Sequence, residues 1–285
     1  MKLSVIIACL NEEKNISTQL QALAEQEWSE PWELLVCDNG STDNTTGVVE
    51  TFRQKIPNLR IVDASQKRGQ PYALNCGVAH ARSDNVAFCD SDDAVGSGWV
   101  PAMGEALKEH EFVGGRFDLK RFNQHGILMS HAQEDGLNKL RYPPYLEHTG
   151  SGNMGVRKSL HQEVGGFDES MPYLFDTDFC FKVQLKGHKL HYLPAAVLHV
   201  RRPNKLSIIY KKAQNYGKYH VLLYKRYRPQ GMPELTFANG VRSLVRLLIQ
   251  PLTIRNKIQL ASWAWSVGWR VGWFKGCLAF RVFVI

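Results

Sequence analysis

From Leu3 to Val200, short apolar runs that end in polar clusters alternate with segments of helical period. Leu3–Cys9 is followed by Asn11, Glu12 and Glu13, then by a helical pattern to about Glu27 with Ile16, Leu20 and Leu23 on one face. Trp32–Cys37 ends in Asp38-Asn39-Gly40-Ser41-Thr42-Asp43, where Gly40 allows a tight turn and Ser41 or Thr42 can cap a helix to about Gln54. Leu59–Val62 reads as a third strand, Gly69–Ala81 as a helix with an early Pro71, and Val86–Cys89 as a fourth strand. A helix from Ser97 to about His110 and a strand over Phe112–Leu119 follow, then a stretch of mixed period from Phe122 to Arg141. Leu190–Leu193 and Ala196–Val200 read as two more strands. This succession predicts a parallel, helix-covered sheet, which places ligands beyond the carboxyl ends of its strands.

From Leu206 the pattern changes. Leu206–Tyr227 is a basic helix, Val241–Ile249 is largely apolar, and Ile258–Ile285 holds Trp263, Trp265, Trp269, Trp273, Phe274, Phe280 and Phe283 between Arg270, Lys275 and Arg281. The expected division is therefore a domain over 1–203 and a helical region over 204–285. No apolar run reaches the length of a spanning helix, about 18 residues. Arg201 to Arg228 holds nine Lys or Arg and no acid, within a chain of net charge +8. Such a surface suits an anionic substrate, a nucleic acid or an anionic membrane, and no nucleic-acid-binding motif accompanies it. Basic helices rich in Trp and Phe suit a bilayer interface; packing on the domain or on a second copy is the alternative.

The six cysteines lack ligand spacing, and Cys9, Cys37 and Cys89 sit in apolar runs, which points to reduced core thiols in a cytosolic compartment. The apolar start before Asn11 is too short for a signal peptide and reads as a first strand.

Candidate chemistry gathers where the fourth strand ends, at Asp90-Ser91-Asp92-Asp93. Asp90 and Asp92, two apart, can point at one site on an extended chain, and a divalent cation relieves their repulsion. Hard oxygen ligands suit Mg²⁺ or Mn²⁺. An acidic turn capping the next helix is the other reading. Thr149–Val156 is glycine-rich before it turns apolar, as in a backbone that approaches a ligand or in a turn before an edge strand. Asp176 and Asp178 open a helix at Phe175, where acids cap without further function. No glycine-rich dinucleotide fingerprint or phosphate-binding loop is present, so a bound nucleotide would be held by carboxylates and amides.

Four ordered motifs, covering roughly Leu3 to Val200, resemble family 2 glycosyltransferases, nucleotide-sugar-dependent enzymes of GT-A fold. Ser4–Glu12 looks like the family's first strand and nucleotide loop, assigning Ala8, Asn11 and Glu12 to the nucleotide. Val36–Asp43 resembles V-D-D-G-S-T-D, which assigns base and ribose contacts to Asp38 and Asn39. Asn39 replaces the commoner Asp, so UDP-, dTDP- and GDP-linked donors stay open. Gly69–Gly77 resembles the helix beside the nucleotide; Leu74 stands where Arg is frequent, leaving positive charge to Lys67 or Arg68. Phe88–Asp93 matches the metal motif, with Asp92 the direct ligand and Asp90 and Ser91 at the nucleotide. Gly165–Glu169 with Phe175-Asp176 is similar to the acceptor-side motif, making Asp176 the base, and His199 resembles a histidine that completes the metal shell.

The resemblance implies an α/β fold of GT-A type, a mostly parallel nucleotide-binding sheet flanked by helices; the C-terminal basic and aromatic helical tail lies outside the stretch it covers. The resemblance also implies a Mn²⁺- or Mg²⁺-dependent, inverting transfer to a glycan or lipid-linked saccharide, and the basic, Trp-rich tail places that activity in the cytoplasm, at the inner face of the cell membrane. The tail lacks Q-x-x-R-W, which implies single additions. The expected partners are the donor, the acceptor and an anionic membrane surface, with a homodimer as the alternative use of the tail and no nucleic acid. A nucleotidyltransferase of similar sheet would carry an N-terminal glycine-rich loop ending in Arg or Lys, absent after Cys9. A non-catalytic relative would have no chemical need for Asp92, Asp176 and His199 together.

Overall fold

In the computed structural model, residues 1–56, 58–123, 136–140 and 143–282 are described. The chain divides into two compact units, the first chiefly Met1–Phe122 and Glu147–Arg201, the second chiefly Arg202–Ile285.

The first unit is built on β1 (Leu3–Cys9), α1 (Ile16–Ala24), β2 (Trp32–Asp38), α2 (Thr45–Glu50), β3 (Leu59–Asp63), α3 (Gln70–His80), β4 (Asn85–Cys89), β5 (Ala94–Val95), α4 (Trp99–Glu109) and β6 (Phe112–Asp118). After the two-residue strands β7 (Asn138–Lys139) and β8 (Glu147–His148) come β9 (Asn153–Arg157), α5 (Lys158–Glu163), α6 (Phe175–Leu185) and β10 (His191–His199). Among the described residues the main sheet has the order β3-β2-β1-β4-β9-β6-β10-β5. β1 pairs in parallel with β2 and β4, β2 with β3, and β6 with β10; β9 and β5 run antiparallel to their neighbours. β1 lies between β2 and β4 and is buried from Leu3 to Ile7, as inner parallel strands are where helices cover the sheet. Helix α3 lies so close to β1 and β2 that a Cβ at Gly77 would stand 2.4 Å from Ile6 and 2.8 Å from the Cys37 sulfur.

Three local expectations change. The region expected as two strands is the single β10, whose register slips between Leu193 and Val197 around Pro194, a residue with no N–H for the ladder. The strand after the glycine run is not an edge strand: β9 sits between β4 and β6. Helix α2 stops at Glu50 rather than near Gln54, and neither Ser41 nor Thr42 caps it; Gly47, Val48 and Val49 are weak helix formers. The stretch of mixed period from Phe122 to Arg141 falls mostly on 124–135 and 141, and Phe283 falls on 283–285, outside the described residues. The cysteines are free, and burial pushes the Cys37, Cys89 and Cys180 thiols upward, as inert core residues.

The second unit holds α7 (Leu206–Tyr227), α8 (Phe237–Ile249) and α9 (Lys257–Phe280). Thr236 and Asn256 cap α8 and α9 by accepting from the N–H groups of Asn239 and Gln259. Helices α7 and α9 meet almost backbone to backbone. A Cβ would stand 2.0 Å from Trp269 O at Gly217, 1.9 Å from Gln214 O at Gly272 and 2.6 Å from Lys218 O at Gly276. Gly268, Gly272 and Gly276 recur every four residues along α9, the small-residue spacing that lets helices touch. Around this seam Trp269 and Trp273 stack at 5.0 Å, with the buried His220 against both. No helix among the described residues is long and apolar enough to cross a membrane.

Candidate active site

The strand-end acids follow β4, and their place is set by two glutamines from neighbouring helices. Gln19 of α1, fully buried, donates to the Asp90 carbonyl (2.9 Å) and accepts from the Val95 N–H (2.8 Å), bracketing the loop. Gln70, first residue of α3, donates to Asp90 Oδ1 (3.0 Å). Asp93 is buried and accepts from the Arg201 N–H (2.7 Å), while Arg201 Nε donates to the Asp92 carbonyl (3.1 Å). Ligand atoms of Asp90, Asp92 and Asp93 lie within 4.8 Å of one another, the hard-oxygen set that suits Mg²⁺ or Mn²⁺. Among the described residues none donates a hydrogen bond to the Asp92 carboxylate. Glu12 stands near it: burial raises the Glu12 carboxyl above its usual range, Asn15 opposes that with a hydrogen bond, and the charge of Asp92 adds to the rise. Ser91 is buried within the same turn.

The loops after β1 and β2 are laced together. Half-buried Ala8 is the last but one residue of β1, and Asn11 takes a φ of 57°, a left-handed conformation that asparagine tolerates. From there Asn11 Oδ1 accepts from the Thr42 N–H (2.8 Å), and the Asn11 and Glu12 N–H groups donate to Ser41 Oγ (3.0 Å) and Thr45 Oγ1 (2.8 Å). Asp38 accepts from the Ser41 hydroxyl at 2.5 Å, which is the bond Ser41 makes in place of a helix cap. Asn39 is buried, and its side chain is engaged inside the protein. Its amide donates to the carbonyls of Ala64 (2.5 Å) and Lys67 (2.8 Å), and its oxygen accepts from the Gly69 N–H (2.8 Å). An aspartate could not donate to those carbonyls, which gives this departure from the family motif a structural cause. Of the two candidate cations, Lys67 pairs with Glu169 (2.7 Å), whereas exposed Arg68 donates to the Asn39 carbonyl (3.0 Å) and lies over Gly40.

Asn75 of α3 pins the Gly165–Glu169 turn by bonding Phe167 N and O and Glu169. Asp176 and Asp178, adjacent in the helical first turn, have different surroundings. Asp178 is fully buried and pairs with Lys182 (3.4 Å), which also donates to the Gly166 carbonyl (2.8 Å). Asp176 is half-buried and accepts from the N–H groups of Thr177 (2.7 Å) and Ser151 (3.3 Å). Burial raises its carboxyl above the usual range, against those hydrogen bonds. The glycine run joins the two sides: a Cβ at Gly152 would stand 2.4 Å from Asp90 Oδ2, and one at Gly150 would stand 3.6 Å from Asp176 Oδ2. The two carboxylates thus flank a stretch of backbone no longer than about 7 Å. His199 lies outside the aspartate cluster; its Nδ1 bonds Asp118 at 2.5 Å. Burial would raise Asp118, but the His199 bond and the Lys120 N–H hold it below the usual carboxylate range. The sequence reading missed Gln19, Gln70 and Asn75, because polar residues on helices carry no spacing signal for distant strand ends.

A mostly parallel sheet carrying an aspartate cluster at its strand ends, and a C-terminal helical tail beyond it, define a glycosyltransferase of GT-A type. The family description "Glycosyl transferase family 2" matches residues 4–165, more than half of the chain, and the chain belongs to that family. It is 32% identical over 196 residues to the poly(ribitol-phosphate) beta-N-acetylglucosaminyltransferase TarS of Staphylococcus aureus, covering 68% of this chain and 34% of the relative. The probable glycosyltransferase YdaM of Bacillus subtilis is 25% identical over 233 residues, covering 76% and 54%. The chain spans between about a quarter and a half of the length of such curated relatives. Among solved structures, the fold is similar to the 1–349 portion of Staphylococcus aureus TarS in complex with UDP-GlcNAc (TM-score 0.59, 20% identity, 98% and 92% coverage). It is also similar to the mannosyltransferase PcManGT of Pyrobaculum calidifontis in complex with GDP-Man and Mn²⁺ (TM-score 0.65, 16% identity, 98% and 87% coverage).

Proposed function

We propose that the chain transfers single sugars from a nucleoside-diphosphate donor to a hydroxyl of a glycan or lipid-linked saccharide, with inversion at the anomeric carbon. The observation that carries this reading is the Gly150–Gly152 backbone, with the nucleotide-side Asp90 against one end and Asp176 against the other. Asp38, Asn11, Glu12, Ala8, Asp90 and Ser91 form the walls for the nucleoside, and Arg68 meets the diphosphate. Asn39 acts through the Ala64–Gly69 loop that presents Arg68. The acceptor oxygen attacks the anomeric carbon, the bond from that carbon to the diphosphate oxygen breaks, and the diphosphate leaves with the electron pair. Asp176 takes the acceptor proton. Its raised proton affinity suits that task.

The donor set fits Mn²⁺ or Mg²⁺: Asp92, whose carboxylate accepts no hydrogen bond among the described residues, would be the direct ligand, and Asp90 lies beside it. His199, oriented by Asp118, offers Nε2 as a further nitrogen. When bound, the cation neutralises negative charge on the diphosphate leaving group. UDP-GlcNAc and GDP-Man are the donors of the two solved neighbours, which keeps UDP-, dTDP- and GDP-sugars as the donor class here. The tail docks the enzyme on the inner, anionic face of the cell membrane, where lipid-linked acceptors reside. The test is a panel of UDP-, dTDP- and GDP-sugars, assayed for Mn²⁺-dependent hydrolysis and then for transfer to polyprenyl-linked saccharides. Metal-stimulated turnover of one donor is expected. A chain that bound none of them with or without Mn²⁺ would contradict the proposal.

A further inference from the structure

None of the four tryptophans of α9 is exposed. Trp269 and Trp273 pack against His220 on the α7–α9 seam, and Trp263 Nε1 donates to the Leu247 carbonyl (3.1 Å). Exposed apolar side chains also stand on α7 and α9, Ile208, Phe274 and Leu278 among them, but the longest regular series lies on α8 and the turn after it. Phe237 is 69% exposed, Val241 39%, Val245 47%, Leu248 78% and Leu252 85%. They recur every three or four residues, so they share one side of the helix. The opposite side is held: Gly240 is buried, Ser243 Oγ accepts from Arg270 (2.6 Å), and Leu247 accepts from Trp263. The stripe is therefore fixed outward.

We infer that this face of α8 seats the chain in the interface of an anionic lipid bilayer. The inference rests on the membrane docking proposed above and names the element that performs it. Charge selects the occupant. Residues 235–285 contain no Asp or Glu, and Arg242, Arg246, Arg255 and Lys257 flank the stripe. A second copy placed symmetrically on the same face would bring these cations against their own duplicates, whereas anionic headgroups neutralise them. The helix has 13 residues, about 20 Å at 1.5 Å each, too short to span about 30 Å of hydrocarbon. It lies in the plane of the surface, with the apolar side down and arginines reaching to the headgroups.

The test uses the full chain with vesicles of equimolar phosphatidylglycerol and phosphatidylcholine, and with phosphatidylcholine alone. The wild type is expected to sediment with the anionic vesicles, less so at high salt. The double variant Val245→Asp/Leu248→Asp is expected to bind at least tenfold more weakly, with unchanged thermal unfolding and donor hydrolysis. Should that variant fold poorly, Leu252→Ser, in the exposed turn, gives the same readout. Wild-type binding that both variants retain would overturn the role of α8 while leaving the membrane docking intact. A wild type that ignores anionic vesicles would overturn both. A wild-type dimer that the double variant dissociates, without vesicle binding, would assign the face to a second copy.

Discussion

At Asp176 two demands on one carboxylate oppose each other. Burial favours the protonated acid, while the proposed role as base requires the ionised form. A carboxyl whose value is raised by folding lends stability only while protonated, and that contribution is lost as pH rises through the folded value. The ionised form therefore works against the fold. Asp176→Asn is expected to lower turnover roughly 10²–10⁴-fold and to leave the Tm at pH 7 at or above that of wild type. The acid limb of kcat/KM in wild type should lie above the ordinary aspartate value of about 3.9. Asp178→Asn should do the reverse, because it weakens the buried pair with Lys182: lower stability by roughly 1–3 kcal/mol, with turnover of the folded fraction near normal. An inactive Asp178→Asn beside an active Asp176→Asn would exchange the two roles. Asn39 gives a second residue-level expectation. Asn39→Asp removes two donors from the Ala64 and Lys67 carbonyls, at roughly 1–3 kcal/mol for each buried group orphaned. The Tm should fall and donor preference should not move; a switch of preferred nucleotide at unchanged Tm would contradict this.

Among the elements, the glycines separate chemistry from scaffold. A methyl at Gly152 meets the mobile end of the Asp90 side chain, so Gly152→Ala is expected to swing that carboxylate off Gln70. The expected result is donor binding at least tenfold weaker with little change in Tm. A methyl at Gly272 meets the backbone of α7, which has no rotamer to move, so Gly272→Ala should cost about 1–3 kcal/mol or more and leave the active site of the folded protein unchanged. Equal effects of both variants on Tm would refute the distinction. These elements also mark what the sequence made legible. Leu3–Cys9 and Leu206–Tyr227 could be bounded correctly because an unbroken apolar run and a sustained helical period are local signals. The strand-end acids were legible because they share one turn. The bulge of β10 and the interior place of β9 depend on which strand lies alongside, which no local pattern carries. The every-fourth-residue glycines of α9 are legible in the sequence, but the Trp and Phe between them suit a lipid-facing surface as well as a helix seam, so the pattern alone does not decide between the two.

Charge is partitioned along the whole molecule. Residues 1–200 carry 19 Lys or Arg against 26 Asp or Glu, whereas residues 201–285 carry 16 against one, Glu234. An anionic donor thus meets a unit of net negative charge, so binding needs local countercharge, which Arg68 and a divalent ion on Asp92 would provide. The most direct test of the account sets donor binding against turnover in two variants, with and without Mn²⁺. Asp92→Asn is expected to lose the Mn²⁺-dependent part of donor binding and, with it, turnover. Asp176→Asn is expected to bind donor and Mn²⁺ like wild type and to lose turnover alone. Unchanged Mn²⁺ dependence in Asp92→Asn, or a turnover in Asp176→Asn close to wild type, would contradict the division of labour between the two sides of the glycine run.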